Sequence, residues 1–166
     1  MRLPIAIGAI LVASVSFNAP VMSATPTQGV QTEIATSKLR QLTINRQLWN
    51  RQKINNYRYQ LSNDCFCISE FRGPLIIEVR NGRTTSITNA NTGKPLNSEL
   101  LRELRQYSTI PKLFNLIQNA INRGESELTV GYNPRLGYPT QINIGNLAAD
   151  AGIFTRISNF EILQKR

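Results

Sequence analysis

The sequence predicts an α+β fold, an antiparallel sheet with helices packed on one face, in the order helix–three strands–helix–three strands after an N-terminal signal peptide. Three observations predict it. At about 100° per residue, Ile110, Leu113, Phe114, Leu116, Ile117, Ala120 and Ile121 fall on one arc, and Lys112, Asn115, Gln118, Asn119, Asn122 and Arg123 on the other. The runs Tyr57-Arg58-Tyr59-Gln60-Leu61 and Leu75-Ile76-Ile77-Glu78-Val79 alternate with period two, as half-buried strands do. Between two extended runs stands Asn81-Gly82, a strong hairpin signal.

Each element has a local reason. Met1-Arg2, an apolar run over 3–17 and the small residues of Pro20-Val21-Met22-Ser23-Ala24 have the layout of a secretory signal peptide over 1–24, with cleavage after Ser23 or Ala24. The apolar run is shorter than the ~20 residues a membrane span needs. No cysteine at the junction supports a lipid anchor. Residues 25–36, with Pro26, Gly29 and several Thr and Gln, suggest a flexible lead-in to a single domain over 37–164. A helix is expected over 37–53 with Leu39, Leu42 and Trp49 on one side, although Arg46 and Lys53 share that side and Ile44 and Leu48 do not.

The first strand carries Tyr57, Tyr59 and Leu61 inward, and the second, opened by Gly73-Pro74, carries Leu75, Ile77 and Val79 inward. Residues 83–88 return beside it, 89–95 form a loop, and 98–107 a short helix burying Leu100, Leu101 and Leu104. The long amphipathic helix has Ser108 or Thr109 to cap it, Pro111 in its first turn and Gly124 to close it. Then come a strand over 127–132, a turn rich in Pro and Gly over 133–139, a strand over 140–144 with Ile142 and Ile144 inward, and a loop over 145–152. In the last strand, 153–163, the apolar residues switch parity between Ile157 and Phe160, which suggests a bulge. Each half has a strand opened by proline, so a duplication is conceivable, but too few identities support it.

Composition excludes more than it assigns. The 166 residues include no histidine, which removes Ser-His-Asp and Cys-His nucleophile pairs and histidine-bound zinc. Nineteen Lys and Arg against ten Asp and Glu give a net charge of +9. That balance favours anionic partners, although solubility is a sufficient reason for it. From residue 34 to residue 63 there is no acid, while Lys38, Arg40, Arg46, Arg51, Lys53 and Arg58 are all present.

Four pieces resemble a known family: Trp49 with Ile54-Asn55-Asn56-Tyr57-Arg58-Tyr59; Cys65-Phe66-Cys67; Thr109-Ile110 with Leu113-Phe114 and Ile117; and Tyr132-Asn133-Pro134 with Gly137-Tyr138-Pro139-Thr140 and Ile142. From Trp49 to Phe160 the chain resembles the bacterial exported family called domain of unknown function 6174. The resemblance implies an exported or envelope-associated protein with no established activity. It also leads one to expect an acid at the positions of Asn133 and Gly145; any cation-binding role of such acids would be lost here.

Cys65 and Cys67 are the most chemical-looking residues. Export and an even pair favour a disulfide, two separately engaged thiols are the alternative, and metal or redox work stands third. Metal is disfavoured because only Asp64 and Glu70 lie near as further ligands. Arg58 and Arg72 are candidates for a cationic setting, and Arg135 and Tyr138 for presentation by their turn, with packing of Tyr138 on the sheet as the simpler reading. Tyr57 and Tyr59 flanking Arg58 suit base stacking, but their alternation with Leu61 points to the core, and no specific nucleic-acid partner is expected. The pairs Glu99/Glu103 and Glu125/Glu127 are explained by helix-start and strand-edge positions rather than glycosidase chemistry.

No catalytic residue, cofactor or metal is therefore assigned. The expectation is an exported protein, periplasmic or extracellular and without a transmembrane segment after processing. It would act as a non-enzymatic binding or structural module of the envelope, with an envelope protein or an anionic polymer as partner. The alternatives are a thiol-dependent or hydrolytic enzyme using Cys65 and Cys67, and a basic surface protein held to an anionic polymer or membrane.

Overall fold

The structure, a computed structural model, describes residues 27–146 and 152–164. The signal-peptide segment and most of the 145–152 loop lie outside them. Helix α1 (Thr27–Gln52) leads into β1 (Tyr57–Asp64), a single turn α2 (Ser69–Arg72), β2 (Leu75–Arg80) and β3 (Arg83–Asn89). Then follow α3 (Ser98–Glu103), a 3-10 turn (Leu104–Tyr107), α4 (Ile110–Asn122), β4 (Leu128–Tyr132), β5 (Pro139–Ile144) and β6 (Ile153–Ile162). All pairings are antiparallel, in the order β3-β2-β1-β6-β5-β4. The fold is the expected α+β layer. No helix of the described residues is long and apolar enough to cross a membrane.

Local chemistry accounts for the elements. Thr109 caps α4 by accepting from Lys112 N, Pro111 sits in the first turn, and Gly124 at φ +72° ends the helix while Glu125 N reaches back to Ala120 O. Asn81 and Gly82 both take positive φ, the geometry of a tight hairpin, and Asn56 Oδ1 accepts from Asn81 N. The parity switch in the last strand is a bulge: Arg58 pairs with Glu161 and Gln60 with Ser158, so Tyr59 faces two residues, and Asn159 adopts φ +49°.

Three expectations are corrected. Helix α1 begins at Thr27, over the stretch expected to be a flexible lead-in, because no Pro or Gly interrupts residues 30–52. Eleven residues into the helix, Lys38 Nζ donates to Ser126 O. Leu39 is exposed while Leu42 and Trp49 are buried, so the apolar stripe of α1 is narrower than expected. Leu101 is 40% exposed, because the chain tightens to 3-10 winding at Leu104 and aligns Leu100, Leu104 and Tyr107 inward.

The core lies between the helices and one face of the sheet. Tyr57, Tyr59, Leu61, Leu75, Ile77 and Val79 meet Leu113, Phe114 and Ile117 of α4 and Leu42 and Trp49 of α1. Trp49 sets its edge against Tyr57 at 5.4 Å and Phe160 at 5.8 Å, while Phe160 stacks on Tyr138 at 4.4 Å. Tyr57 Oη accepts from Ile110 N, and Tyr59 donates its buried hydroxyl to Tyr107 O. Arg46 fits the apolar side of α1 because its guanidinium lies over the Phe114 ring at 5.6 Å.

A duplication finds no support in this arrangement. The halves keep the same lateral order, β3-β2-β1 and β6-β5-β4, but corresponding strands run in opposite directions. Superposing them would require a half-turn about the lateral axis, which would carry the helix to the opposite face. Both long helices share one core.

Candidate functional site

The cysteines form a disulfide, Cys65–Cys67, with their Cα atoms 5.3 Å apart. The chain bends to allow it: Cys67 N donates to Cys65 O, a three-residue turn. Asn63 anchors the strand end, donating to Phe71 O and accepting from Thr155 Oγ1. Phe66, between the two cysteines, is 87% exposed.

The residues singled out for chemistry are not brought together. Arg58 is on the outward face of the sheet, paired with Glu161 at 2.7 Å. It stands seven residues along the strand from Cys65, about 23 Å at the usual rise. Arg72 is exposed at the end of α2, and Arg135 is exposed in the β4–β5 turn. Tyr138 is only 8% exposed, its ring against Phe160, and burial raises its phenol pKa, with the Asn133 amide opposing at 3.4 Å. It supports the turn from beneath and is not presented at the surface. No group of three or more Cys, Asp or Glu suited to a metal occurs among the described residues.

Asn133, where an acid was expected, organises that turn. Its Oδ1 accepts from Arg135 N and Leu136 N, its backbone carbonyl from Gly137 N, and its own N–H goes to Tyr138 O. Gly145, the second such position, takes φ +78° and donates to Glu127 O. Both are turn positions.

What the structure does assemble is a groove that no single stretch of sequence announces. It runs between β3, one of the two edge strands of the sheet, and the layer of α3, the 3-10 turn and the start of α4, with a volume of about 610 Å³. Arg83, Arg105 and Lys112 line it, with the hydroxyl residues Thr84, Thr85, Ser86, Thr88, Ser108 and Thr109 and the apolar Ile87, Pro95, Leu96 and Leu101. Its lining holds no carboxylate. The ion pairs among the described residues are Arg58–Glu161, Arg80–Glu78 and Arg123–Glu125, so the groove cations have no acidic partner there. Lys112 Nζ is held by Ser108 Oγ at 2.9 Å, and Thr84 Oγ1 donates to Ser108 O, which ties the groove floor to β3. The far end of the edge is closed where Thr88 pairs with Pro95.

These cations come from three elements, β3, the 3-10 turn and α4, and are separated by up to 29 positions (112 − 83). A scan for charge runs along the chain passes over them, because a groove gathers residues by tertiary contact. The sequence pattern around Leu101 points inward, so it gives no sign of the groove that Leu101 lines.

No curated protein and no solved structure matches the chain. Residues 41–162 match a family of unknown function, and they span all six strands, α4 and the disulfide turn. On that match over most of its length, the chain belongs to the family of unknown function DUF6174.

Proposed function

We propose that the protein is an exported, non-enzymatic binding module of the cell envelope, and that the groove beside β3 takes a segment of an anionic polymer. The groove carries the reading: three cations and six hydroxyl residues line an acid-free groove beside the edge strand β3. A concave groove suits a segment of polymer better than a flat bilayer, and hydroxyl and cationic donors suit carboxylate or phosphate oxygens. The leader-like composition of residues 1–24 supports export.

Binding of oligogalacturonate, followed by calorimetry, tests the groove. Binding should weaken as salt rises from about 50 to about 300 mM, as the ~10 Å screening length at moderate salt requires. Arg105→Gln and Lys112→Gln should each lower affinity about fivefold, and the triple change with Arg83→Gln should remove it. Affinity unchanged in the triple variant would dispose of the groove. Export is tested by N-terminal sequencing of the native protein: a mature start at residue 24 or 25 is expected, and a cytosolic pool beginning at Met1 counts against it.

A further inference from the structure

On the opposite side of the sheet, the face that none of the described helices covers, the neighbouring strands β1, β6 and β5 present a second and chemically different site. Cross-strand register sets Asp64, Phe154 and Asn143 side by side in one row across β1, β6 and β5. The next outward row is Ser62, Arg156 and Gln141. These six residues line a depression of about 460 Å³, inside the ~300–1,000 Å³ range of small-molecule sites. Strand spacing and rise give the array a footprint of about 10 by 7 Å, the span of two linked pyranose rings. Beyond Gln141 the neighbouring position on β4 is Gly131, so no side chain walls off that end of the second row.

We propose that this depression binds an uncharged saccharide. The charges decide the class of ligand. Asp64 and Arg156 balance, in a protein of net charge +9, so the site has none of the anion preference of the β3 groove. Sugar hydroxyls both donate and accept, and the array supplies both roles: carboxylate oxygens of Asp64, guanidinium N–H groups of Arg156, and amides of Gln141 and Asn143 that do each. The two amides are already aligned, Gln141 Nε2 donating to Asn143 Oδ1 at 3.2 Å, which leaves the other atoms of both for a ligand. Phe154, in the middle of its row, is the aromatic lining residue, the type of side chain against which the C–H side of a pyranose packs. The inward neighbours hold the rows in place, since Thr155 Oγ1 donates to Asn63 Oδ1 between them.

The test is amide NMR of the full mature chain titrated with chitotetraose, cellotetraose and maltotetraose to about 10 mM, at about 50 and about 500 mM salt. At least one of these neutral probes should shift the amides of residues 62–64, 141–143 and 154–156 saturably, with affinities at the two salts agreeing within about threefold. That salt independence separates this site from the groove. Phe154→Ala should lower affinity at least tenfold and Asn143→Ala at least threefold, each with its thermal midpoint measured beside it. The proposal is overturned if none of the three probes shifts these amides, if the shifts map to β3, or if the folded variants bind as the parent does.

Discussion

Tyr59 and Gly137 show how much of this protein rests on single atoms. The Tyr59 hydroxyl is fully buried and donates to Tyr107 O, joining the central strand to the 3-10 turn. Tyr59→Phe keeps the ring but leaves a buried carbonyl without that donor, a loss of about 1–3 kcal/mol. A lower urea midpoint with unchanged slope is the expected result. Gly137 has φ +80°, and a Cβ there would stand 2.4 Å from Asn45 O and 3.0 Å from the Leu48 Cβ of α1. Gly137→Ala therefore combines backbone strain with a clash against helix backbone, and should cost about 2 kcal/mol or more. A thermal melt within a degree of the parent would rule out this contact. The same observation explains the Gly-Tyr-Pro motif. Glycine lets the turn touch α1, Tyr138 fills the space against Phe160, and Pro139 opens β5.

At the level of elements, the disulfide turn and the helices differ in what holds them. The Cys65–Cys67 bridge spans a sequence separation of only two, so it removes little freedom from the unfolded chain, about 1.5 kcal/mol on loop-closure arithmetic. Cys65→Ser with Cys67→Ser should fold and lose no more than about 2 kcal/mol, measured by denaturant unfolding. A collapse of the fold would show that the bridge does more than shape the turn presenting Phe66. Helix α4 depends instead on burial: Ile110, Leu113, Phe114 and Ile117 are each nearly inaccessible to solvent. Edge strand β3 carries an extra residue, Thr85, where Val79 pairs with Thr84 and Glu78 with Ser86. Such a bulge keeps a free edge from pairing with another chain while leaving its side chains available to a groove ligand.

For the whole molecule, the buried tyrosines set the response to alkali. Burial pushes the Tyr57 phenol up to about 12, although the N–H from Ile110 pulls the other way, and raises Tyr59 and Tyr107 above their ordinary value. The unfolded chain releases these protons near 10. Above that pH the unfolded state binds fewer protons than the native one, so stability present below pH 10 is lost as pH rises toward 12. Tyr57 alone accounts for about 1.4 kcal/mol per pH unit in that window. Urea midpoints at pH 8, 10 and 11 should be level to about 10 and then fall, with phenolate absorbance appearing at unfolding. Early ionisation of all five tyrosines without unfolding would contradict the packing.

Many of the residues that carry the family resemblance are residues of the core, although Arg58, Phe66 and Pro134 are exposed. Trp49, Tyr57, Tyr59, Ile110, Phe114, Tyr138 and Ile142 are all buried. The chain alone therefore determined the class of fold, the faces of β1, β2 and α4, the Asn81-Gly82 hairpin and the bulge near Phe160. Those depend on periodicity, turn chemistry and local capping, which neighbouring residues specify. Tertiary structure decided that α1 reaches back to Thr27 and that Leu101 faces a groove. It also decided that Arg83, Arg105 and Lys112 share one groove, and that Asp64, Phe154 and Asn143 share one row. Those placements arise from strand order and register between segments far apart in the chain, and no local pattern of residues encodes such a distance.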